Sequence, residues 1–380
     1  MRQAAITAKR IAIVSDSIYP YNTGGKETRI LELSTRLAAL GHDVHIYTMH
    51  WWSDPSKHRV EHGVHLHAVS HLYPLYAGER RSIKQGILFG LACFKLLNAR
   101  FDVIDVDHMP YFPLFSVRIV AWLKRKPMYA TWHEVWGSSY WQQYLGGAGH
   151  IAYAIERLST LLPSKIISVS DLTTARLKQE MKVTQPTILV RNGVAVASIR
   201  QVRAKRSSSD IIYAGRLIEH KHVDVLLRAV ARLKQTRPDI KCYIIGDGPE
   251  RANLETLSRS LGLQSNVRFF GFLDNHHDVY AYMKASRVFV LPSTREGFGI
   301  SVIEANACGL PVVTINHPAN AAKDLITPAT GRLSQLDPKA MARQIENLLS
   351  VKLSPGIIRT SVVPYDWQVS TQALEAVYAL

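Results

Sequence analysis

The first half of the chain alternates short apolar, β-branched runs with longer stretches whose apolar positions recur every three or four residues. IAIVSD (11–16), DVHIYTM (43–49), FDVIDVDH (101–108), PMYATWHE (127–134), SKIISVS (164–170) and PTILVRNG (186–193) read as strands. After the first, the loop SIYPYNTGGKE leads into a helix with Ile30, Leu33, Leu37 and Leu40 on one face, stopped by Gly41. A long histidine-rich excursion separates the second strand from the third. The rhythm then restarts with IIYAGR (211–216), KCYIIGDG (241–248), NVRFFGF (266–272), RVFVLPS (287–293) and LPVVTI (310–315). A helix with Val223, Leu226, Leu227, Val230 and Leu233 on one face follows the first of these. Short strands alternating with helices imply parallel βαβ units, and so two doubly wound α/β domains. Between the two series, VASIRQVRAKRSSSD (196–210) is polar and basic and reads as a linker. The expected division is an N-terminal domain over 1–200, a second over 201–365 and a C-terminal helix over 366–380 that returns toward the first.

Size agrees, because 380 residues exceed what one core usually serves and a hydrophobic content of 47% supplies two. The most apolar run, GILFGLACF (86–94), is flanked by Lys84 and Lys95 and falls short of a bilayer span. The start, MRQAAITAKRIAIVSD, runs directly into a strand with no separate apolar core and cleavage site, so a cytoplasmic location is expected. Cys93, Cys242 and Cys308 lie far apart in apolar surroundings, which suits buried reduced thiols. Eight of the 16 histidines fall between 42 and 71 without the spacing of a metal clasp, and surface histidines are expected there.

The formal charge of +16 favours anionic partners, and the first 200 residues carry +10 of it, with 24 Lys and Arg against 14 Asp and Glu. The cations are interspersed and form no nucleic-acid signature, so no nucleic-acid partner is expected. The basic helical stretches around 80–95 and 117–126 suit peripheral contact with an anionic membrane surface, on its inner face.

Candidate chemistry is concentrated in REGFGISVIEANACGLPVV (295–313). A strand ends, a turn holding Glu296, Gly297, Phe298 and Gly299 follows, and a helix starts at about Ile300 with Ser301 in its first turn. Glycines allow close approach to a ligand, and the helix start offers N–H groups to a phosphate. Glu296 on the turn can reach hydroxyls to one side, and Glu304 inside the helix can accept two hydrogen bonds from a vicinal diol. Hydroxyls, phosphate and diol in series describe a sugar nucleotide, although a capped helix with a solvated Glu304 fits this stretch equally well. YAGRLIEHKHVDVLL (213–227) tips the balance, because Arg216 and Lys221 stand at equivalent places in the same sheet, where two cations can neutralise a diphosphate leaving group.

GRLIEHKHVDVLLRAV, IIGDGPE, VRFFGFL, PSTREGFGISVIEANACGLPVV and the earlier NTGGKETRILELSTRLAALGHDVHIYT resemble family 4 of the retaining glycosyltransferases. The second half matches throughout in order and spacing; the first matches more loosely, at the glycine loop, TWHE and VRNGV. The resemblance implies the GT-B fold, two Rossmann-like doubly wound domains facing each other across a cleft that closes on the donor. It makes Arg216 and Lys221 a diphosphate clamp, and Glu296 the residue on the donor sugar's hydroxyls, with the backbone of Gly297, Phe298 and Gly299 beside it. Glu304 becomes the ribose ligand, Leu273 meets the base through its backbone, and Gly24 and Gly25 belong to a loop over diphosphate and acceptor. Gly215, Gly248, Ile300 and Ser301 complete the donor-binding set.

No cofactor and no metal are implied, since the helix start and the two cations serve the diphosphate. Transfer keeps the anomeric configuration by front-face attack, the departing diphosphate helping to deprotonate the acceptor. The chain departs from the family at DVIDVDHMPYFP, where Asp107 or His108 occupies the position near the transferring sugar. His108 is preferred, with His133 of TWHEVWG second. EVWGSSYWQQYLGG (134–147) reads as an aromatic loop suited to the acceptor, a glycan or lipid-linked sugar. Other two-domain enzymes of this fold, such as an epimerase or phosphorylase, or a non-catalytic binding module, are the alternatives. The presence of Arg216, Lys221, Glu296 and Glu304 together argues against loss of turnover.

Overall fold

The computed structural model describes residues 7–78 and 80–379; the stretch 1–6, part of the segment read above as lacking a leader, lies outside them. The chain divides into two compact units, residues 1–192 with 367–380, and 193–366.

The sheet strands of the first unit are β1 (Arg10–Val14), β2 (Asp43–Met49), β3 (His58–Glu61), β4 (Val64–Ser70), β5 (Val103–Asp107), β6 (Met128–Trp132), β7 (Lys165–Ser168) and β8 (Thr187–Leu189). They lie in the order β8-β7-β6-β5-β1-β2-β4-β3, parallel throughout except that β3 runs antiparallel to β4. β5 is buried along its whole length, as a strand covered by helices on both faces must be. The hairpin β3–β4 occupies the stretch read only as an excursion, because its alternating His and apolar residues were masked by polar neighbours.

The second unit holds β9 (Ser209–Ala214), β10 (Cys242–Ile245), β11 (Val267–Gly271), β12 (Ser286–Leu291), β13 (Val312–Ile315) and β14 (Gly331–Ser334), all parallel in the order β11-β10-β9-β12-β13-β14. Both orders reverse beside their first strand, β1 or β9. At such a reversal the loops leave the sheet in opposite directions and open a crevice at the strands' carboxyl ends. The amphipathic helix Val223–Lys234 buries Val223, Leu226, Leu227, Val230 and Leu233 and packs beside the helices Pro338–Ser350 and Arg251–Ser260.

Several expectations need correcting. The linker placed at 196–210 is in part a helix, Val196–Gln201, with Val196 and Ile199 buried, and the division falls at 192/193 rather than 200. Leu40 is exposed, because the helix Gly25–Ala39 ends one residue before it. His42 and His45 are buried rather than on the surface: His45 because β2 sits inside the sheet between β1 and β4, His42 because its ring lies between Lys9 N, at 3.1 Å, and Glu375 of the C-terminal helix, also at 3.1 Å. The helix Trp367–Ala379 packs on the helix Gly25–Ala39, its Tyr378 Oη donating to Asp105 Oδ2 at 2.6 Å. Cys93, Cys242 and Cys308 are buried and free, burial pushing each thiol above its ordinary value. Among the described residues, no helix is long and apolar enough to cross a membrane.

Candidate functional site

In the second unit the predicted residues gather at the carboxyl edge of the sheet. β9 runs out into Gly215 and Arg216, β10 into Gly248, β11 into Leu273, and β12 into the turn that carries Glu296. Backbone hydrogen bonds stitch these exits together: Gly215 N donates to Ile245 O at 3.0 Å, Gly246 N to Gly271 O at 2.8 Å and Leu217 N to Asp247 O at 2.9 Å. Gly248 is demanded by this stitching, because a Cβ there would lie 2.3 Å from the carbonyl oxygen of Leu217.

The loop after β9 is tied to the turn after β12. The His220 carbonyl accepts from Thr294 N at 3.2 Å and from Ser293 Oγ at 3.3 Å, and His222 Nε2 lies 3.0 Å from Thr294 Oγ1. That docking brings Lys221 Nζ to 2.6 Å from Glu296 Oε1, both side chains being largely buried. Glu296 is in turn fixed through its backbone, donating to Ala319 O at 3.1 Å and accepting from Ala321 N at 2.9 Å. Lysine carries three donors, so Lys221 can hold Glu296 with one and a phosphate oxygen with another.

His220 reports the field of this edge. Its imidazole is pulled down to about 2, first by burial and then by Arg295, Lys221 and Arg216, so three cations converge on one uncharged ring. Such a field suits a multiply charged anion. Neither His220 nor Arg295 was singled out in the sequence; the signal available was their adjacency to Lys221 and Glu296 in EHKH and TREG.

The helix Ile300–Ala307 begins beside this cluster, and no side chain caps it at Gly299. The amide groups of Ile300 and Ser301, at the start of the helix, have no intrahelical acceptor. Gly299 has φ +99°, and a Cβ there would lie 2.5 Å from the Ala322 side chain, so its absent side chain serves internal packing as well as access. Phe298 is buried edge-on against Tyr365, with ring centroids 5.9 Å apart. One turn into the helix, Glu304 Oε1 lies 2.9 Å from His276 Nε2 and accepts from Tyr280 Oη at 2.9 Å. Burial would raise this carboxyl, but the His276 charge and the two hydrogen bonds outweigh it and hold it below the ordinary glutamate range. His276 and Tyr280, on the helix His276–Lys284, were missed because nothing in their spacing relates them to Glu304.

The first unit has its own polar cluster, at the carboxyl ends of β1, β5 and β6. Lys26 Nζ lies 2.8 Å from both Asp16 Oδ1 and Asp107 Oδ2. Burial would lower this ammonium, yet Asp107 and Asp16 together raise it above its ordinary value; burial would raise Asp107, and Lys26 above all holds it well below. Gly24 caps the helix that carries Lys26, and Gly25 opens it. His133 Nε2 approaches Asp107 Oδ1 at 3.4 Å, and His133 N donates to His108 Nδ1 at 3.4 Å. His108 is buried with its ring stacked on Trp132, centroids 4.9 Å apart, whereas His133 is partly exposed and its imidazole is lowered by burial. Asp107, His108 and His133 offer ligand atoms within 4.8 Å of one another, with Lys26 already on the free oxygen of Asp107. Asp16 and Lys26 escaped the sequence reading although both flank its glycine loop.

The aromatic loop expected over 134–147 is instead the helix Gly137–Leu145, and its indoles face inward. The Glu156 carboxylate organises them, accepting from Trp136 N at 2.8 Å, Gly137 N at 3.0 Å and Trp141 Nε1 at 2.8 Å. Trp136 and Trp141 therefore serve the core.

Residues 23–198 match the model of Glycosyltransferase Family 4, and residues 197–355 that of Glycosyl transferases group 1. A glycogen synthase of Mycobacterium tuberculosis is 27% identical over 97% of this chain and 94% of its own. A phosphatidyl-myo-inositol mannosyltransferase of Propionibacterium freudenreichii is 27% identical over 74% of this chain and 71% of its own. The Anabaena protein HepE, solved in complex with UDP-glucose, superimposes with a TM-score of 0.72 at 17% identity, covering 98% of this chain and all of that one, a likeness of fold.

Proposed function

The chain belongs to glycosyltransferase family 4, and from that premise we propose that it moves a hexose or N-acetylhexosamine from a nucleotide-diphosphate sugar to a glycan or lipid-linked acceptor. It is a retaining, hexosyltransferase-type enzyme that uses a nucleotide sugar; the sugar class, the acceptor and a role in cell-surface polysaccharide or glycoconjugate synthesis are the proposed part. The observation that carries the reading is the meeting of Lys221 and Glu296 on an edge where Arg216 and Arg295 add their charge.

In this reading the pyrophosphate lies between Arg216, Lys221 and the amides of Ile300 and Ser301. As the anomeric bond breaks, negative charge grows on the leaving phosphate, and preorganised donors stabilise it without reorganising. Glu296 receives the donor sugar's hydroxyls and also fixes the Lys221 side chain, which favours one sugar orientation and one phosphate position together. Glu304, kept ionised, takes the ribose diol. In the first unit His108, the residue preferred from the sequence, is buried, so His133, the less buried member of the Asp107 cluster, becomes the better candidate for contact with a sugar, with His108 holding its backbone. Titration with UDP and GDP followed by a donor screen tests the proposal: micromolar to millimolar binding of one nucleotide, with hydrolysis or transfer of one of its sugars, is expected. No binding of either at millimolar concentration would overturn it.

A lipid-linked acceptor draws support from a surface of the first unit. The helices Ile83–Ala92 and Phe112–Lys124 pack side by side and expose Ile83, Ile87, Leu91, Ile119, Trp122 and Leu123, with Trp122 69% exposed. Lys84, Arg118, Lys124 and Arg125 lie on or directly after the same two helices. An apolar face accompanied by cations suits the interface of an anionic bilayer, where a buried large side chain is worth about 1.5–3 kcal/mol and each cation roughly 1 kcal/mol. Trp122→Ser should lower partition onto phosphatidylglycerol vesicles about tenfold while nucleotide affinity stays unchanged. Equal sedimentation of both proteins would remove the membrane surface from the reading.

A further inference from the structure

At the opposite end of the first unit's sheet from the Asp107 cluster, strands β2, β3 and β4 place four imidazoles and a carboxylate on one patch. His45 stands beside His65 in register, and His58 beside His67. The His45 and His65 rings stack with centroids 4.7 Å apart, and the His58 and His67 rings, tilted by 31°, lie 4.8 Å apart. Asp43, the first residue of β2, completes the group.

The orientation of the ring nitrogens is specific. His45 Nε2 lies 2.8 Å and His65 Nε2 3.8 Å from the same oxygen, Asp43 Oδ1. The remaining nitrogen of each ring is held by another histidine: His45 Nδ1 lies 2.8 Å from His67 Nε2, and His65 Nδ1 3.1 Å from His58 Nε2. Two imidazoles thus aim one nitrogen each at a shared carboxylate oxygen while their other nitrogens are anchored. Metal-ligating histidines are commonly oriented by a hydrogen bond from the second ring nitrogen, usually to a carboxylate, carbonyl or water; here an imidazole takes that place.

The three converging atoms lie within 4.8 Å of one another. A tetrahedral ion with metal–ligand bonds of about 2.0–2.1 Å would set them roughly 3.3 Å apart, so the 2.8 and 3.8 Å separations from Asp43 Oδ1 each need an adjustment of about 0.5 Å. Hydrogen bonding alone leaves a conflict here. His45 Nε2 lies 2.9 Å from the Arg10 Nε donor as well as 2.8 Å from Asp43 Oδ1, and one nitrogen cannot both accept and donate. Arg10 Nε also reaches Asp43 Oδ2 at 2.8 Å, so it keeps a partner if Nε2 turns its lone pair to an ion.

We propose that Asp43, His45 and His65 bind a divalent transition ion, Zn²⁺ in the first instance, with His58 and His67 orienting the ligating rings and a water completing the shell. Two imidazoles and a single carboxylate suit a borderline ion, not Mg²⁺ or Ca²⁺, which require mainly oxygen. The ion ties β2 to β4 and stabilises the sheet edge; it stands apart from the transfer chemistry, so chelation leaves transfer intact. The neighbouring Arg10 charge opposes the ion, which fixes the sign of one variant.

The experiment is calorimetric titration of ZnCl₂ into the chelator-stripped, untagged full chain, with the melting temperature followed in parallel. One ion per chain and a raised melting temperature are expected. Asp43→Asn and His65→Ala, both partly exposed positions, should each weaken binding by about tenfold or more, and Arg10→Gln should strengthen it. His71→Ala, exposed beyond β4, should change nothing. Absence of saturable binding, or binding that persists in the Asp43→Asn, His65→Ala double variant, would overturn the proposal.

Discussion

Replacing Lys221 with alanine is expected to lower kcat by about 100- to 1000-fold, the cost of removing one preorganised donor from a developing negative charge. Lys221 is fastened by the docking of the His220 carbonyl onto Thr294 and by its own contact with Glu296, so its ammonium is preorganised where the charge develops, and the neighbouring Arg216 and Arg295 are expected to offset only part of its loss. Glu296→Gln should lower kcat as well but leave UDP or GDP affinity nearly unchanged, because its carboxylate belongs to the sugar end. The two substitutions are not independent. Lys221 and Glu296 share one contact, so the double variant should lose less than the product of the single losses. Melting curves of each variant separate a chemical effect from a folding one. Wild-type turnover in a folded Lys221→Ala protein, or fully additive losses, would sink this assignment.

Glu304→Gln is expected to weaken nucleotide binding by about 10- to 100-fold, since a hydrogen bond to a charged group is worth roughly 1.5–3 kcal/mol. The loss should be specific to ribose: wild type should discriminate against a 2′-deoxynucleotide, and the variant should not. The pH dependence has a definite sign. Glu304 is held below the ordinary glutamate range, so its charge, and with it ribose affinity, should persist as pH falls through the usual glutamate value and disappear only below it. His276 and Tyr280 both contact Oε1, so Oε2 is the oxygen we assign to the diol. Unchanged discrimination in Glu304→Gln would show that another group reads the ribose.

Much of the second unit was legible before any coordinates. The strand ending at Ala214, the helix with its apolar face from Val223 to Leu233 and the turn before Ile300 all follow from local periodicity and turn chemistry. Lys221 and Glu296 could be nominated from their places relative to those elements. Their contact could not be read there, because it depends on β9 and β12 being neighbours although 75 residues separate the two side chains. In the first unit, aromatic-rich 134–147 looked like a surface loop only while the buried Glu156 that draws its amides and indoles inward was unknown.

The amino-acid sequence by itself determined two α/β units and the residue types available for a sugar nucleotide, since hydropathy periods and glycine turns act between near neighbours. Only the tertiary structure decided which of those residues meet. The fold joins Lys221 to Glu296, the Tyr280 hydroxyl and His276 ring to Glu304, and His45 and His65 to Asp43. Such meetings depend on strand order and register across the whole sheet; at His45 and His65 a shift of one position would turn the side chain to the other face.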